Sequence, residues 1–356
     1  MTALSSIDGL LAARRSFALY RMPESDRVTL VLQREGTQPL TAGSIEWLNC
    51  RRGFVVAPFS SSSAHPLILV SPDHTEQFTL PWSDASGDLS DVYALQPEDG
   101  YRACFATFVD ALRDGQFHKL VLSRRADFTS PYNIDVEGVF VEACRRYHHS
   151  YVYLLHTPQT GVWIGSTPEV LLSGSGGRYV TMALAGTQEA PRDGGVEVTW
   201  NEKNRREQGL VADYLRASLE RYGVTPEEDV ARTVKAGELV HLRTDFRFSL
   251  SDAGELGTLL DAIHPTPAVC GLPKAEAYRF ILDNEGYDRG YYSGFVGMID
   301  PDADTALFVN LRCMRVAGSV ATLYAGGGLL SSSELEDEWM ETERKMATMK
   351  RIIRCK

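Results

Sequence analysis

The sequence predicts an α+β fold, a layered sandwich of strands and helices, and three observations carry that prediction. From residue 101 onward, long helical patterns alternate with runs of two or more strands, unlike the regular βαβ repetition of a parallel α/β protein. The 356 residues, 44% hydrophobic and 23% charged, suffice for one large domain or two interleaved layers. No short internal repeat or low-complexity run is present, which argues against a solenoid.

Residues 1–100 read as scaffold within the same domain. An opening amphipathic helix is followed by brief strand candidates, VTLVLQR at 28–34, FVVAPF at 54–59 and LILV at 67–70, separated by Ser, Pro and Gly. The stretch 60–100 has the weakest periodicity and is rich in Ser, Asp and Pro, as a mobile or variable linker is. Beyond it, apolar spacing predicts helices near 101–115, 135–147, 199–221, 273–284 and 334–354. Strands are expected near 119–128, 151–156, 161–165, 178–184, 230–235, 239–248, 293–299, 305–315 and 320–325.

A formal charge of -11 argues against nucleic acid and anionic membrane as partners, since both attract a concentrated basic surface. The first residues lack an apolar core with a small-residue cleavage site, and no run reaches the roughly 18 apolar residues of a spanning helix. A cytoplasmic protein is the expectation. The six cysteines lie far apart with no CxxC pair, so they are read as reduced thiols.

Several residues stand out as chemistry. Trp200, Lys203, Glu207, Val211 and Leu215 share one stripe at three- and four-residue spacing, which puts Glu207 in line with interior positions. A buried carboxylate costs several kcal/mol unless compensated, whereas a Lys203–Glu207 pair on the helix surface is the simpler account. In the last helix Glu334, Glu338, Glu341 and Lys345 share a face, either solvated or, with Glu207, a source of oxygen ligands for a hard cation such as Mg²⁺. Arg312 sits in the alternating run ADTALFVNLRCMRV, read as one strand, and needs an anionic partner inside or outside the protein. Gly326, Gly327 and Gly328 directly follow a strand, where a turn or a carboxylate-binding nest both fit. Lys119 opens the apolar segment HKLVLSRRADF, and Glu169 follows Pro168, which favours a helix start. A buried Lys can serve as a general base and an acid in apolar surroundings as a general acid, although both are more often ordinary residues.

These segments occur together in a known order. KLVLSR, GSTPEVLL, ALAGT, KNRREQ, ELVHLRT, HPTPAVCGLPK, YYSGFVGMID, VNLRCMRV, YAGGGLL and EWMETERK run in the sequence of the chorismate-utilising (chorismate-binding) enzyme family, and the chain resembles its isochorismate synthases over about 119–350. The resemblance implies two antiparallel sheets with helices around a central cleft, residues 101–356 being the catalytic region. It implies that Lys119 activates water to attack ring carbon 2 and that Glu169 protonates the departing carbon 4 hydroxyl. Glu207 and Glu341 become direct Mg²⁺ ligands and Glu338 a ligand through water. Arg312, Lys345 and the backbone of Gly326, Gly327 and Gly328 become the anion grip, with Gly186, Thr187 and His241 lining the pocket.

Relatives separate at the same positions. Anthranilate synthases carry Gln in place of Lys119, and aminodeoxychorismate synthases carry a nucleophilic Lys in place of Ala185, so both resemblances fall away. Salicylate synthases, which eliminate pyruvate from isochorismate, remain the alternative, as does a catalytically inactive chorismate-binding relative, against which the intact site residues speak. The resemblance implies a monomer with chorismate as its small-molecule substrate and no glutamine amidotransferase subunit. Menaquinone biosynthesis is the expected pathway, ahead of a catechol siderophore.

Overall fold

The computed structural model describes residues 7–80, 97–191, 198–236 and 239–356. In chain order it contains α1 (Ile7–Ala12), β1 (Phe17–Arg21), β2 (Arg27–Leu32), β3 (Leu40–Ala42), β4 (Gly53–Ala57), β5 (Leu67–Val70), β6 (His74–Thr79) and α2 (Asp99–Arg113). There follow β7 (Lys119–Thr129), α3 (Val136–Arg146), β8 (Tyr151–Thr157), β9 (Gly161–Thr167), β10 (Val170–Ser175), β11 (Arg178–Glu189) and α4 (Glu202–Arg221). Next come β12 (Glu227–Glu228), β13 (Arg232–Ala236), β14 (Leu239–Ser249), α5 (Leu256–Ile263), β15 (Gly271–Leu272) and α6 (Lys274–Asn284). The chain closes with β16 (Phe295–Ile299), β17 (Thr305–Val309), β18 (Cys313–Ala317), β19 (Val320–Leu329) and α7 (Leu335–Lys350).

The strands form two sheets. One runs β15-β7-β19-β18-β9-β8-β1-β2-β6, and the other β12-β14-β11-β10-β17-β16-β4-β5-β3 with β13 pairing β14. All their pairings are antiparallel, as the α+β prediction requires. The N-terminal strands complete an edge of each sheet.

Side-chain alternation sets the layers, because successive residues of a strand face opposite sides. Tyr151, Tyr153 and Leu155 of β8 meet Phe54 and Val56 of β4 and Phe308 of β17 in a core between the sheets. The alternate residues Val152 and Leu154 face outward onto α3 and α7, where Phe140 and Met346 pack. On the other sheet Val55 and Leu307 face Val211 and Leu215 of α4 and Leu259 of α5. Each large apolar side chain so buried contributes about 1.5–3 kcal/mol. Strands covered on both faces are apolar throughout, which is why the alternation is faint in the sequence.

Two connections pass between the sheets and run side by side. β9 lies in the nine-stranded sheet and β10 in the other; β17 and β18 make the reverse passage. They are stitched by Val309 N–H to Glu169 O at 2.9 Å, Ser166 N–H to Arg312 O at 2.9 Å and Thr167 Oγ1 to Val309 O at 2.7 Å. This corrects the reading of 305–315 as one strand: the chain leaves its sheet at Asn310, and Arg312 adopts a left-handed φ of 44°. Fully buried Asn310 fixes the passage, donating to Tyr291 O at 2.8 Å and accepting from Tyr153 OH at 2.6 Å.

Other expectations are also revised. No helix starts at Pro168; Glu169 lies in the passage, followed by a shift of strand register between Val170 and Leu172. α4 begins after Trp200, with Asn201 as its cap accepting from Asn204 N–H at 2.8 Å, so Trp200 packs with Val240 and Leu242 instead of joining the stripe. Gly326, Gly327 and Gly328 lie within β19 and pair with β7, so they are neither a turn nor a nest after a strand. Much of 60–80 is β5 and β6; residues 81–96 of the expected linker lie outside the described residues. α5 went unpredicted because its eight residues, LGTLLDAI, are too few for a helical period to stand out.

Replacing Asn310 with Ala strips two buried partners of their hydrogen bonds. We expect Asn310→Ala to lower the unfolding free energy by about 2–4 kcal/mol, read from urea denaturation; an unchanged midpoint would contradict the role given to the passage.

Candidate active site

The site begins with a strand stripped of side chains. β7 pairs with the whole of β19, but β18 pairs only with Val320–Leu323, so the other edge of the glycine run is open to helices. A Cβ on Gly327 would stand 3.0 Å from Glu338 Oε2 and 3.6 Å from Glu341 Oε1. On Gly328 it would stand 2.2 Å from Glu207 Oε1 and 2.8 Å from Lys119 Cε. Glycine is therefore required by the approach of three carboxylates and a lysine to the strand.

α4 presents Lys203 and Glu207, and α7 presents Glu338, Glu341 and Lys345 at spacings that keep them on neighbouring positions of one face. Each acid is held by a lysine. Glu207 Oε1 lies 2.9 Å from the fully buried Lys119 Nζ at the start of β7. Lys345 Nζ donates to Glu341 Oε1 at 2.6 Å and to Gly326 O at 2.8 Å. Lys203 reaches across to Glu338 Oε1, which also accepts from Ser333 Oγ at 2.7 Å. The i,i+4 pairing of Lys203 with Glu207 expected from sequence gives way to these cross-element contacts.

The two α7 acids respond in opposite directions. Burial, then the neighbouring Glu341, raises Glu338 to about 7. Burial also raises Glu341, but Lys345 outweighs it and leaves that carboxyl below the ordinary range.

The paired passage between the sheets supplies the facing wall. Glu169 is buried there, and burial pushes its carboxyl up to about 8 despite the opposing charges of Lys119, Lys345 and Arg312, so it carries a proton at neutral pH. Arg312 is buried with Nη1 lacking any hydrogen-bond partner, a cation placed for an anion that the protein does not itself provide. His241 on β14 is pushed down to about 3, first by burial and then by Arg312 and Lys345, and is neutral. Its Nδ1–H donates to Gly186 O at 3.0 Å, which leaves Nε2 to accept from Arg312 Nη2 at 3.4 Å. Gly186, with φ 74°, forms the register shift of β11 against β14 that turns its carbonyl toward His241; Thr187 Oγ1 lies 3.3 Å from the same Nδ1.

The donors suit a hard cation. They are carboxylate oxygens, and Glu338 Oε2 is buried beside Gly327 without a partner. Among the described residues no group of three or more His, Cys, Asp or Glu side chains is already placed to hold a metal ion. Glu207 would join only by giving up Lys119.

The candidate catalytic, anion-binding and cation-binding residues fall in two adjoining groups, one around the glycine strand and one around Arg312, with Glu169 between them, whereas Glu334 of the same acidic stripe lies exposed at the start of α7. Sequence reasoning missed the bridging role of Lys203, the part played by Ser333, and Tyr292, whose OH would lie 3.0 Å from a Cβ on Gly326. Nothing in the local spacing distinguishes these three.

The family model described as chorismate binding enzyme matches residues 77–354. The isochorismate synthase DhbC of Bacillus subtilis is 29% identical over 331 residues, covering 89% of this chain and 81% of that protein. The salicylate biosynthesis isochorismate synthase of Pseudomonas aeruginosa is 32% identical over 281 residues, 77% of this chain and 58% of that one. The solved structure of MenF, the menaquinone-specific isochorismate synthase of Escherichia coli, has the same fold, with a TM-score of 0.78 at 22% identity over 99% of this chain and 92% of that one. Among the described residues no helix is long and apolar enough to cross a membrane.

Burial of Glu169 makes stability depend on pH. Its folded-state value lies above that of the unfolded chain, so the native state binds the proton more tightly and its stability falls as pH rises from the ordinary carboxylate range through about 8. Glu169→Gln removes this dependence. In urea melts at pH 5.5 and 8.5 the Gln variant should gain on the wild type at the higher pH; a gap independent of pH would show that Glu169 is not held protonated.

Proposed function

We propose, for a chain that belongs to the chorismate-binding enzyme family, the isomerisation of chorismate to isochorismate. The observation that carries the reading is the buried Glu169, its carboxyl pushed up to about 8 by burial, on the same wall as the unpartnered Arg312 Nη1. An acid of this kind can protonate a departing hydroxyl at neutral pH. Once Glu207 turns to the cation, Lys119 is released from its ion pair and acts in its neutral form: it takes a proton from water as that water attacks ring carbon 2, the ring double bonds shift, and Glu169 gives its proton to the hydroxyl leaving carbon 4. One water enters and one leaves, so the reaction is an isomerisation without net oxidation or reduction.

Arg312 Nη1 and Lys345 provide charge for the substrate carboxylates, and neutral His241 holds the Arg312 guanidinium by accepting from it. Gly326, Gly327 and Gly328 leave room for the substrate and for the acids behind them. Glu207, Glu341 and Glu338 would hold Mg²⁺, whose charge, when bound, grips the ring carboxylate of the dianion. Ammonia is not a reactant, so the reading calls for no amidotransferase subunit, and a monomer in the cytoplasm feeding menaquinone biosynthesis accords with it.

Purified protein given chorismate and Mg²⁺ should yield isochorismate on chromatography, with chelation stopping turnover and added Mg²⁺ restoring it. Salicylate with pyruvate would establish the elimination reaction instead, and tight chorismate binding without product would mark an inactive relative. Lys119→Ala and Glu169→Ala should each lose about 10²–10⁴ in kcat while keeping the fold; near-normal turnover in either sinks its assignment. Gly328→Ala, whose methyl group displaces the Glu207 carboxylate, should cost roughly 100-fold in turnover with little change in melting temperature.

A further inference from the structure

α7 carries two different stripes. Glu338, Glu341 and Lys345 face the glycine strand, while Trp339, Thr342 and Met346 are buried beside them. A helix turns by about 100° per residue, so a rotation of a single position would exchange these stripes and take the carboxylates away from Gly327. Something must fix the rotation of the helix as well as its attachment.

Arg124 meets that requirement. It lies on β7, opposite Ala325 and one register position from the Gly326 that receives Lys345. Its buried guanidinium reaches three residues of α7 at once: Nε donates to Thr342 Oγ1 at 2.8 Å, Nη2 pairs with Glu343, and Cζ sits 3.7 Å above the Trp339 ring. Positions 339, 342 and 343 form one patch of a helix surface. Tyr101 of α2 packs edge-on against the same indole at 5.2 Å between ring centres. A planar fork that donates along its edge and stacks through its face constrains orientation in a way that an ammonium cannot.

We propose that Arg124 is a positioning residue of the cation site, setting the rotation of α7 so that Glu338 and Glu341 face Gly327. The proposal rests on the reading of these acids as holders of Mg²⁺. Arg124 touches neither the metal nor the substrate, so its effect should be on metal affinity beyond any effect on folding.

The test compares wild type, Arg124→Lys, Arg124→Met and, as a packing control on the same helix, Met349→Ala. Mn²⁺ is titrated into the substrate-free proteins and followed by electron paramagnetic resonance. The Mg²⁺ concentration for half-maximal turnover of chorismate and the melting temperature are measured alongside. Both Arg124 variants should bind Mn²⁺ and Mg²⁺ about 10–100-fold more weakly, Arg124→Lys less severely than Arg124→Met, as losses of residues behind a metal ligand commonly do. Met349→Ala should melt earlier yet keep wild-type metal affinity. If Arg124→Met does not fold, Arg124→Lys decides the matter. Arg124 variants that melt earlier but bind Mn²⁺ as the wild type does would overturn the proposal, as would equal weakening in Met349→Ala. A wild type that binds no Mn²⁺ and leaves chorismate unchanged would overturn the isochorismate reading, and this inference with it.

Discussion

The paired passage between the two sheets is the constraint on which the rest of the structure depends. Two segments leave their sheets at the same level, and three backbone-directed hydrogen bonds at 2.7–2.9 Å tie one to the other. Glu169 and Arg312 sit on these segments, so the acid and the free guanidinium are fixed by the same connection that joins the layers. Unpaired backbone groups at such a place would be costly, and Thr167 lends its hydroxyl to Val309 O, while Asn310 anchors the passage to Tyr291 O and the Tyr153 hydroxyl. The left-handed φ of 44° at Arg312 is tolerated because this network surrounds it.

The opposite wall solves a problem of charge. Four acids and four cations crowd a largely buried region, and an isolated buried charge would be expensive. The lysines answer it pairwise, Lys119 with Glu207, Lys203 with Glu338 and Lys345 with Glu341. Among the described residues Glu169 forms no such ion pair, and burial pushes its carboxyl up to about 8. Arg312 Nη1 stays unsatisfied, which is the mark of a place kept for something outside the chain.

How much of this was legible in the sequence depended on the range of the interaction. The long helices announced themselves, because α2, α3, α6 and α7 keep their apolar period over eleven residues or more. The candidate site residues are drawn from ten ordered motifs, with the stripe holding Glu207 an independent hint. The strand at 305–315 misled because alternation persists through Asn310 and Arg312 even though the chain changes sheets there; what breaks it is a contact with Tyr153, far away in sequence. Lys203 was misassigned for the same reason. Its local partner at i+4 was visible, whereas Glu338 lies 135 residues further on.

The order of strands has a consequence for how such a chain comes to be folded. β18 and β19, from the final fifth of the sequence, sit in the middle of their sheet, between β7 and β9. While the ribosome has delivered everything up to α6, β7 and β9 present unpaired edges with nothing to close them, and such edges recruit other chains. The glycine strand is thus a keystone delivered late. Biosynthesis must keep the growing chain from associating with its neighbours until β18 and β19 arrive, and the chemistry at the heart of the molecule can begin only then.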